Sequence, residues 1–279
     1  MVHQITSTAW VGVVVFVAGT LLPHTHWRGD MRLVAVDRSS LEVIIQSAVL
    51  PWGMAALAAF VAWRAARRSP VSAGALLGAG VLLGLWAIPS ILHLWIAGEG
   101  PPGTAPSAPG IGGFFAFFGI PTIVATGIVA VRRAASGDRA MSARWAPLAF
   151  AGIVAIVAGF FLPFEVLHAQ VGASRPMVVT KFGLDNFQAF LPLILLASIV
   201  VCAALAPVAT LLGRHNGRLV GVAISAVALV LLLFGAAAWR TVQIGWSVGI
   251  GAWFAIGGAL IVGSWAWLAL RDEARVTEN

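Results

Sequence analysis

The sequence predicts an all-α integral membrane protein with eight transmembrane helices, arranged as two parallel four-helix repeats with small extracytoplasmic β elements. Three observations predict this fold. The 279 residues are 60% hydrophobic, with a mean hydropathy of +0.95, and only 10% are charged. Long uncharged stretches recur along the chain, and several short motifs return at a nearly constant spacing. Together they indicate a membrane protein built by internal duplication.

The spans are predicted from stretches without charged residues, because a helix needs about 20 apolar residues to cross the hydrocarbon core. Eight such stretches occur, at roughly 5–23, 43–63, 71–95, 111–131, 146–164, 187–211, 219–238 and 247–269. The first lacks a basic segment before it and a small-residue cleavage site after it. We therefore expect it to be retained as a span and not removed as a signal peptide.

The basic residues predict the orientation. With eight spans, both termini lie on the same side as the connections 64–70, 132–145 and 212–218. This side carries 11 basic and 4 acidic residues, whereas the opposite connections carry 6 of each. Lys and Arg accumulate in cytoplasmic loops. With one lysine among the 17 basic residues, a usage typical of GC-rich bacterial genomes, we expect a multi-pass protein of the bacterial plasma (inner) membrane with both termini in the cytoplasm.

Four pairs of motifs predict a tandem duplication. AGTLLP at 18–23 matches AGFFLP at 158–163, and AVLP at 48–51 matches AFLP at 189–192. GIGGFFA at 110–116 matches GIGAWFA at 249–255, and RLVAVDRSSLE at 32–42 matches RPMVVTKFGLD at 175–185. The offsets lie between 139 and 143 residues and the order is preserved. We predict a first four-helix unit at 1–137 and a second at 138–279, parallel because each contains an even number of spans.

The duplicated charged stretch falls in the outer connection between the first and second span of each unit. Its β-branched run predicts a short strand or hairpin. The basic residue and the acid near its end are four apart, which on one helical turn would pair them. We interpret the charged residues as structural or partner-facing ion pairs: Arg38 with Glu42 and Lys181 with Asp185, preceded by Arg32 and Arg175. The outer connection 96–110 is predicted to be a mobile loop, and its counterpart 239–248 to be shorter and more strand-like.

Few polar residues are available inside the spans. No Asp, Glu, Lys or Arg lies in the interior of any predicted span, which argues against a proton pump, an ion-coupled carrier or a voltage sensor. Gln46 and Gln188 take almost corresponding positions early in the second span of each unit. They are candidates for a polar site between the units, and hydrogen bonding to a neighbouring helix is the favoured alternative.

Histidines near the outer ends of the first span of each unit suggest a metal site. His24 and His26 are two apart, Glu165 and His168 are three apart and would share a face on a helix, and His168 is a candidate counterpart of His26. Zinc or copper would require the units to bring these four residues together. The favoured alternative is that they are interfacial residues, so no cofactor is expected, and a metal or haem remains the less favoured possibility.

Other classes of function have little support. The single cysteine, Cys202, permits neither an internal disulfide nor a cysteine metal site. The basic residues form no patch with interleaved aromatics, which argues against nucleic acid as a partner. No phosphate loop, nucleophile elbow or paired catalytic carboxylates occur, so we expect a protein that is not an enzyme.

The motifs LLP at 21–23, FLP at 161–163, GIGGFF at 110–115 and GIGAWF at 249–254 carry a resemblance over most of the chain. The pattern resembles four-span membrane proteins of the claudin and tetraspan type, and uncharacterised actinobacterial multi-span proteins, here as a tandem duplication. The outer tryptophan and cysteine pair of claudins are missing. The resemblance therefore implies a fold and a tendency to work beside other membrane proteins, and no barrier or pore function.

Three functional hypotheses follow. The first is a non-enzymatic accessory or scaffold subunit of a bacterial plasma-membrane complex, in contact with the lipid bilayer and with other membrane subunits through its outer loops. It depends on the uncharged spans, on small-residue spacings such as Gly80/Gly84, and on the lack of a catalytic constellation. The second is a permease-like transport component for a lipid or an apolar solute, with its site between the units. The third is a metal- or haem-binding membrane protein.

Overall fold

The computed structural model of the chain describes residues 2–22, 25–29, 49–65, 69–96, 104–109, 111–134, 143–171, 175–182, 191–213, 216–243 and 246–276. Within these ranges the backbone forms eight long helices and five strands. The chain divides into two compact units, residues 1–135 and 136–279, and the sequence-predicted boundary between residues 137 and 138 lies close to this division.

Unit 1 is a four-helix bundle with a two-stranded antiparallel sheet. Its helices are α1 (Val2–Leu21), α2 (Val49–Ala65), α3 (Pro70–Ile96) and α4 (Ile111–Arg133). Strand β1 (Thr25–Gly29) follows α1, and strand β2 (Thr104–Pro109) precedes α4. The sheet therefore joins the end of the first helix to the beginning of the fourth.

Unit 2 repeats this plan with one further strand. Its helices are α5 (Ala146–Phe161), α6 (Leu191–Leu211), α7 (Gly217–Gln243) and α8 (Ile250–Val276), and a 3-10 turn at Ala143–Trp145 precedes α5. Strands β3 (Pro163–Val171) and β4 (Arg175–Phe182) form a hairpin after α5, and the short β5 (Ser247–Val248) precedes α8. The sheet order is β4-β3-β5, with all pairs antiparallel.

The helix ends follow from local sequence. Ser69 precedes α3, and its Oγ accepts a hydrogen bond from Ser72 N at 3.4 Å, while Pro70 takes the first helical position, where no N–H is needed. Asn216 caps α7 in the same way, accepting from Arg218 N at 3.0 Å. Gly213 ends α6 with a φ of 69°, a conformation that glycine adopts without steric cost.

The first and fourth helices of unit 1 cross at glycines. A Cβ on Gly119 would lie 2.7 Å from Phe16 N and 2.8 Å from Gly12 O, and a Cβ on Gly12 would lie 3.1 Å from Gly119 O. One heptad further along, Gly19 faces Gly112 and Ala116 in the same manner. Only glycine permits backbones to approach this closely, and α1 and α4 make the most extensive helix contact of the unit.

Unit 2 has the same crossing between α5 and α8. A Cβ on Gly152 would lie 2.7 Å from Gly258 O, and a Cβ on Gly159 would lie 2.7 Å from Ala255 N. Each glycine stands 139 or 140 residues after its counterpart in unit 1, as seen for Gly152 after Gly12. In both units, consecutive helices pack together and this crossing closes the bundle.

The sheets have matching registers at the point where the chain leaves the crossing. Thr25 opposes Pro109 in unit 1, and Glu165 opposes Val248 in unit 2, again 140 and 139 residues later. In unit 2, Phe164 attaches the sheet to the bundle. Its ring lies 5.5 Å from that of Phe234, which in turn lies 4.9 Å from Phe160, and all three side chains are fully buried.

Several sequence expectations need correction. The connection 96–110 was predicted to be a loop, but β2 occupies residues 104–109, because pairing with β1 supplies its backbone partners. The counterpart 239–248 was predicted to be strand-like, but α7 continues to Gln243 and the strand is limited to Ser247–Val248. The β-branched run at 178–180 is confirmed as strand in β4. The equivalent run VAV at 34–36 lies outside the described residues.

The helices place the protein in a membrane. Four described segments are long and apolar enough to cross a bilayer, with mean hydropathies between 1.7 and 2.7: Ile111–Arg133, Leu193–Leu211, Gly217–Trp239 and Ile250–Arg271. Shorter apolar segments of 10 to 17 residues lie in the other four helices. Large apolar side chains are exposed on the helices, among them Phe118 and Val154. The protein is therefore an α-helical, membrane-embedded protein.

The glycine crossing can be tested with two adjacent residues of α8. In G258A the new methyl group meets the carbonyl oxygen of Gly152 and lies 2.7 Å from Ile156 N, so we expect a loss of roughly 1–3 kcal/mol in unfolding free energy from overpacking. In G257A the methyl group meets no atom within 4 Å, and the higher helix propensity of alanine should leave stability unchanged or slightly raised. Denaturant unfolding in mixed micelles measures both, and equal effects would contradict the crossing.

Candidate functional site

Most of the residues singled out from sequence lie outside the described residues. This holds for His24, Arg32, Arg38, Glu42, Gln46, Asp185 and Gln188. The pairing of Arg38 with Glu42 and the polar site at Gln46 and Gln188 therefore stay predictions. The backbone is described for the remaining candidates, namely His26 in β1, Glu165 and His168 in β3, and Arg175 and Lys181 in β4.

The structure changes the expected setting of Lys181. The four-residue spacing to Asp185 was interpreted as one helical turn, but Lys181 lies in β4, where that geometry does not apply. The register of the hairpin instead places Lys181 directly opposite Glu165 of β3. Glu165 is also opposed by Val248 of β5, so it lies on the central strand of the sheet.

The described residues of the proposed histidine metal site also lie in strands and not in a helix. Glu165 and His168 were expected to share a helical face, but they lie in a strand, whose side-chain period is two and not three or four. His26 opposes Ala108 as Val166 opposes Ser247, so Val166, and not His168, takes the position of His26 in unit 2. Among the residues whose side chains are described, no three His, Cys, Asp or Glu lie close enough to hold a metal ion.

The described interior of each unit is apolar and its hydroxyl groups are satisfied locally. Buried hydroxyls bond to carbonyl oxygens one turn earlier in their own helix, from Thr126 to Thr122 at 2.7 Å, from Thr210 to Ala206 at 2.9 Å and from Ser225 to Gly221 at 3.2 Å. Such bonds use the single hydroxyl donor of each of these side chains within its own helix. The described buried residues therefore line no polar path through either bundle.

One buried polar atom of the described residues has no partner there, namely Nε1 of Trp265. Trp265 is fully buried and stands one heptad beyond Gly258 on the face of α8 that crosses α5. The corresponding residue of unit 1 is the smaller Thr126. A tryptophan at the end of this crossing fills volume, and its unpaired N–H carries a cost of about 1–3 kcal/mol.

A groove of about 590 Å³ lies on the outside of unit 1, between α1 and α2. Its lining is almost wholly apolar. Val13, Ala55 and Ala59 are buried and form the floor. The walls are the exposed aromatic rings of Trp10, Phe60 and Trp63, of which the last two lie 6.1 Å apart. The volume falls within the roughly 300–1,000 Å³ typical of small-molecule sites.

Sequence reasoning missed this groove. A signal was present, because Ala55 and Ala59 correspond to Leu196 and Val200 at the 141-residue offset of the second spans. Where one unit has a small residue and the other has a larger residue at the corresponding position, the two units differ in local shape. Without knowledge that Trp10 of α1 borders α2, the alanines alone did not indicate a cavity.

Comparison with protein-family models, with curated proteins and with solved structures finds no significant match to this chain.

The role of Trp265 is testable by two substitutions. W265F keeps an aromatic ring in the cavity and removes the unpaired N–H, so the unfolding free energy should stay unchanged or rise. W265A empties the site and should lose roughly 3–5 kcal/mol. W267A on the same helix, where the side chain is 59% exposed, is the control and should change stability by about 0.5 kcal/mol or less. Equal losses in W265F and W265A would show that the indole N–H has an acceptor.

Proposed function

We propose that the chain is an eight-span protein of the bacterial plasma membrane, made of two duplicated four-helix units with both termini in the cytoplasm. The number of spans is supported by eight apolar helices, of which four meet the length and hydropathy needed on their own. The orientation is supported by the excess of basic residues in the connections on the side of the termini.

The duplication is supported by a compensated exchange of residue size. Gly80 of α3 packs against Val124 of α4, where a Cβ would lie 3.1 Å from Val124 Cγ2. In unit 2 the large and small residues are exchanged, since a Cβ on Gly263 of α8 would lie 3.6 Å from Val227 Cγ1 of α7. Val227 corresponds to Gly80 when the capping residues Ser69 and Asn216 are aligned. Such an exchange preserves the total volume of a packed contact in both copies.

The orientation is testable by cysteine labelling, because the chain contains a single cysteine, Cys202. In a C202A background, Ser107→Cys lies in a connection predicted to be outside, and Ser136→Cys in one predicted to be cytoplasmic. A membrane-impermeant maleimide should label Ser107→Cys in intact spheroplasts and Ser136→Cys only after permeabilisation. The reverse pattern would overturn the orientation, and labelling of both positions in intact cells would contradict the single span predicted between them.

We further propose that the protein is a non-enzymatic accessory or scaffold subunit of a membrane complex. The observation that carries this proposal is β4, an eight-residue strand outside the helices that is paired on one side by β3. Among the described strands, none pairs with its other edge. A free strand edge offers backbone donors and acceptors to an extended segment of a partner, and β4 also carries Arg175 and Lys181.

From the sequence, the small-residue spacings favour an accessory subunit, but the crossing glycines make contacts inside their own unit. The small residues of the described crossings, Gly12 and Gly119 among them, contact the opposite helix of their own unit. They serve the internal packing of each bundle and leave partner contacts to the outer strands and connections. The described interior also provides no charged or polar pathway, which favours a binding role over a route through one bundle.

The two alternative hypotheses stay open as predictions. A permease-like role would place its site between the two units, where Gln46 and Gln188 are candidate polar residues, and a metal role would use His24 with His26, Glu165 and His168. No specific observation among the described residues supports either hypothesis. Copurification of an ATPase subunit would favour the first, and an absorption spectrum with metal analysis of the purified protein tests the second.

The partner-facing role of the duplicated acids is testable by E42A/D185A in a tagged chain purified from its native membrane in mild detergent. Exposed charge pairs contribute roughly 0.2–1 kcal/mol each, so loss of two should weaken the affinity for a copurifying subunit by about two- to thirtyfold. The purification is carried out at stoichiometric and at diluted amounts of the subunit. The amount of subunit recovered with the chain, determined by mass spectrometry, measures the change in affinity.

The matched control for this experiment is D30A/E99A, which removes two acids from outer connections but outside the duplicated motif. It should leave recovery unchanged. Equal recovery from E42A/D185A and the wild type would contradict a role for these acids. A wild-type chain that is purified alone and monodisperse would overturn the accessory-subunit proposal itself.

A further inference from the structure

We infer that the groove between α1 and α2 is a binding site for one acyl chain of an anionic phospholipid, retained with the protein as a specific lipid. This site is separate from the partner surface at β4. It depends on the membrane placement of the helices and not on the accessory role, so either proposal can fail alone.

The exposed apolar surroundings of the groove favour a lipid as its ligand. Trp10, Phe60 and Trp63 remain 45%, 57% and 49% exposed in the protein, so the groove opens outwards from an apolar helical surface. For unit 1 taken by itself, an apolar surface of this kind is solvated by hydrocarbon in a bilayer. A flexible acyl chain can enter between the aromatic walls and reach the buried alanines of the floor, which a rigid helix surface cannot do.

The length of the groove selects an acyl chain over a transmembrane helix of a partner. The α2 residues that line it extend from Ala55 to Trp63, and those of α1 from Trp10 to Val17. At 1.5 Å per residue these segments are about 12 Å and about 10 Å long. One leaflet contributes about half of the roughly 30 Å hydrocarbon core, so the groove matches one leaflet. A packed helix would use a face about twice as long.

The end of the groove selects the headgroup. Trp63 stands one residue before Arg64 in the last turn of α2, which ends at Ala65. Tryptophan is enriched at the level of the headgroups, and a basic residue beside it attracts the phosphate of an anionic lipid. An acyl chain that begins at this end of α2 therefore has its headgroup at the helix end where the sequence carries this arginine. In the proposed orientation this is the cytoplasmic leaflet.

Unit 2 provides an internal comparison, given the proposed duplication. Ala59 corresponds to Val200, and Trp63 corresponds to Ala204. The floor position thus carries a larger side chain in the second copy, and the aromatic wall at the headgroup end is missing. The arginine that follows this wall in unit 1 corresponds to Leu205, an apolar residue. The lining alanine, the aromatic wall residue and the arginine of unit 1 are thus all replaced at the equivalent positions of unit 2.

The test uses the full chain reconstituted in vesicles of equimolar palmitoyl-oleoyl phosphatidylglycerol and phosphatidylcholine, extracted in mild detergent and analysed by native mass spectrometry. The wild type should retain one phosphatidylglycerol. A59V, which introduces the larger residue of the second copy into the floor, should lower this retention, and A56F, which adds a ring at an exposed position of the lining, should abolish it. A197F, the equivalent of A56F in unit 2, is the matched control and should keep it.

The charge is tested by R64Q, which should lower the bound ratio of phosphatidylglycerol to phosphatidylcholine by about fivefold, the factor given by about 1 kcal/mol for one basic residue at the surface. R271Q, at the end of a helix in unit 2 where the guanidinium lies 5.3 Å from the ring of Trp267, should leave the ratio unchanged. Thermal unfolding verifies that each variant is folded. Wild-type retention of the lipid by folded A56F and A59V, or equal binding of both lipids by the wild type, would overturn the proposal.

Discussion

The close backbone contact between the first and fourth helices of each unit is the constraint on which the rest of the structure depends. Lipid tails are as apolar as the side chains of the helices, so burial of apolar surface supplies little drive for association inside the bilayer. Close van der Waals contact has to supply it. Gly12 and Gly119 in one unit, and Gly152 and Gly258 in the other, provide that contact by removing the side chains between two backbones. The same approach brings the chain after the first helix beside the chain before the fourth, which fixes the register of β1 with β2 and of β3 with β5.

Because this constraint is met in both units, the positions at which the two units differ under the proposed duplication are informative. The crossing glycines are the same residue in both, and the contact between the third and fourth helices keeps its volume by exchanging Gly80 and Val124 for Val227 and Gly263. These positions preserve the bundle. At two other positions unit 2 carries the larger side chain, Trp265 in place of Thr126 and Val200 in place of Ala59. They change local shape, and the second of these differences helps to open a groove on unit 1.

Sequence patterns predicted the membrane environment and the approximate helix positions, because apolar length is a one-dimensional property. They did not identify the crossing glycines, since a spacing of seven between Gly12 and Gly19 gains meaning only when the partner helix is known. They also placed Lys181 on a helix, because a four-residue spacing between opposite charges suits a helical turn. The strand register that opposes Lys181 to Glu165 is set by β3, whose pairing with β4 is a tertiary property. The groove was equally hidden, because Trp10 and Ala59 belong to different helices.

The described interior of each unit is almost wholly apolar, and both of the proposed binding surfaces lie on the outside of a unit. Buried hydroxyls such as those of Thr126 and Thr210 bond within their own helices, so the bundle core offers a solute no exchangeable donor. The surface offers two different chemistries. In the proposed partner surface, the edge of β4 that pairs with no other described strand would present backbone hydrogen-bonding groups to an extended chain, and Arg175 and Lys181 would add charge selectivity. In the inferred lipid site, the groove at Ala59 would supply shape alone, and a neighbouring charge would discriminate among lipids. In each proposed surface, a contact of low selectivity (backbone hydrogen bonds or an apolar groove) would thus be combined with a charge that supplies selectivity.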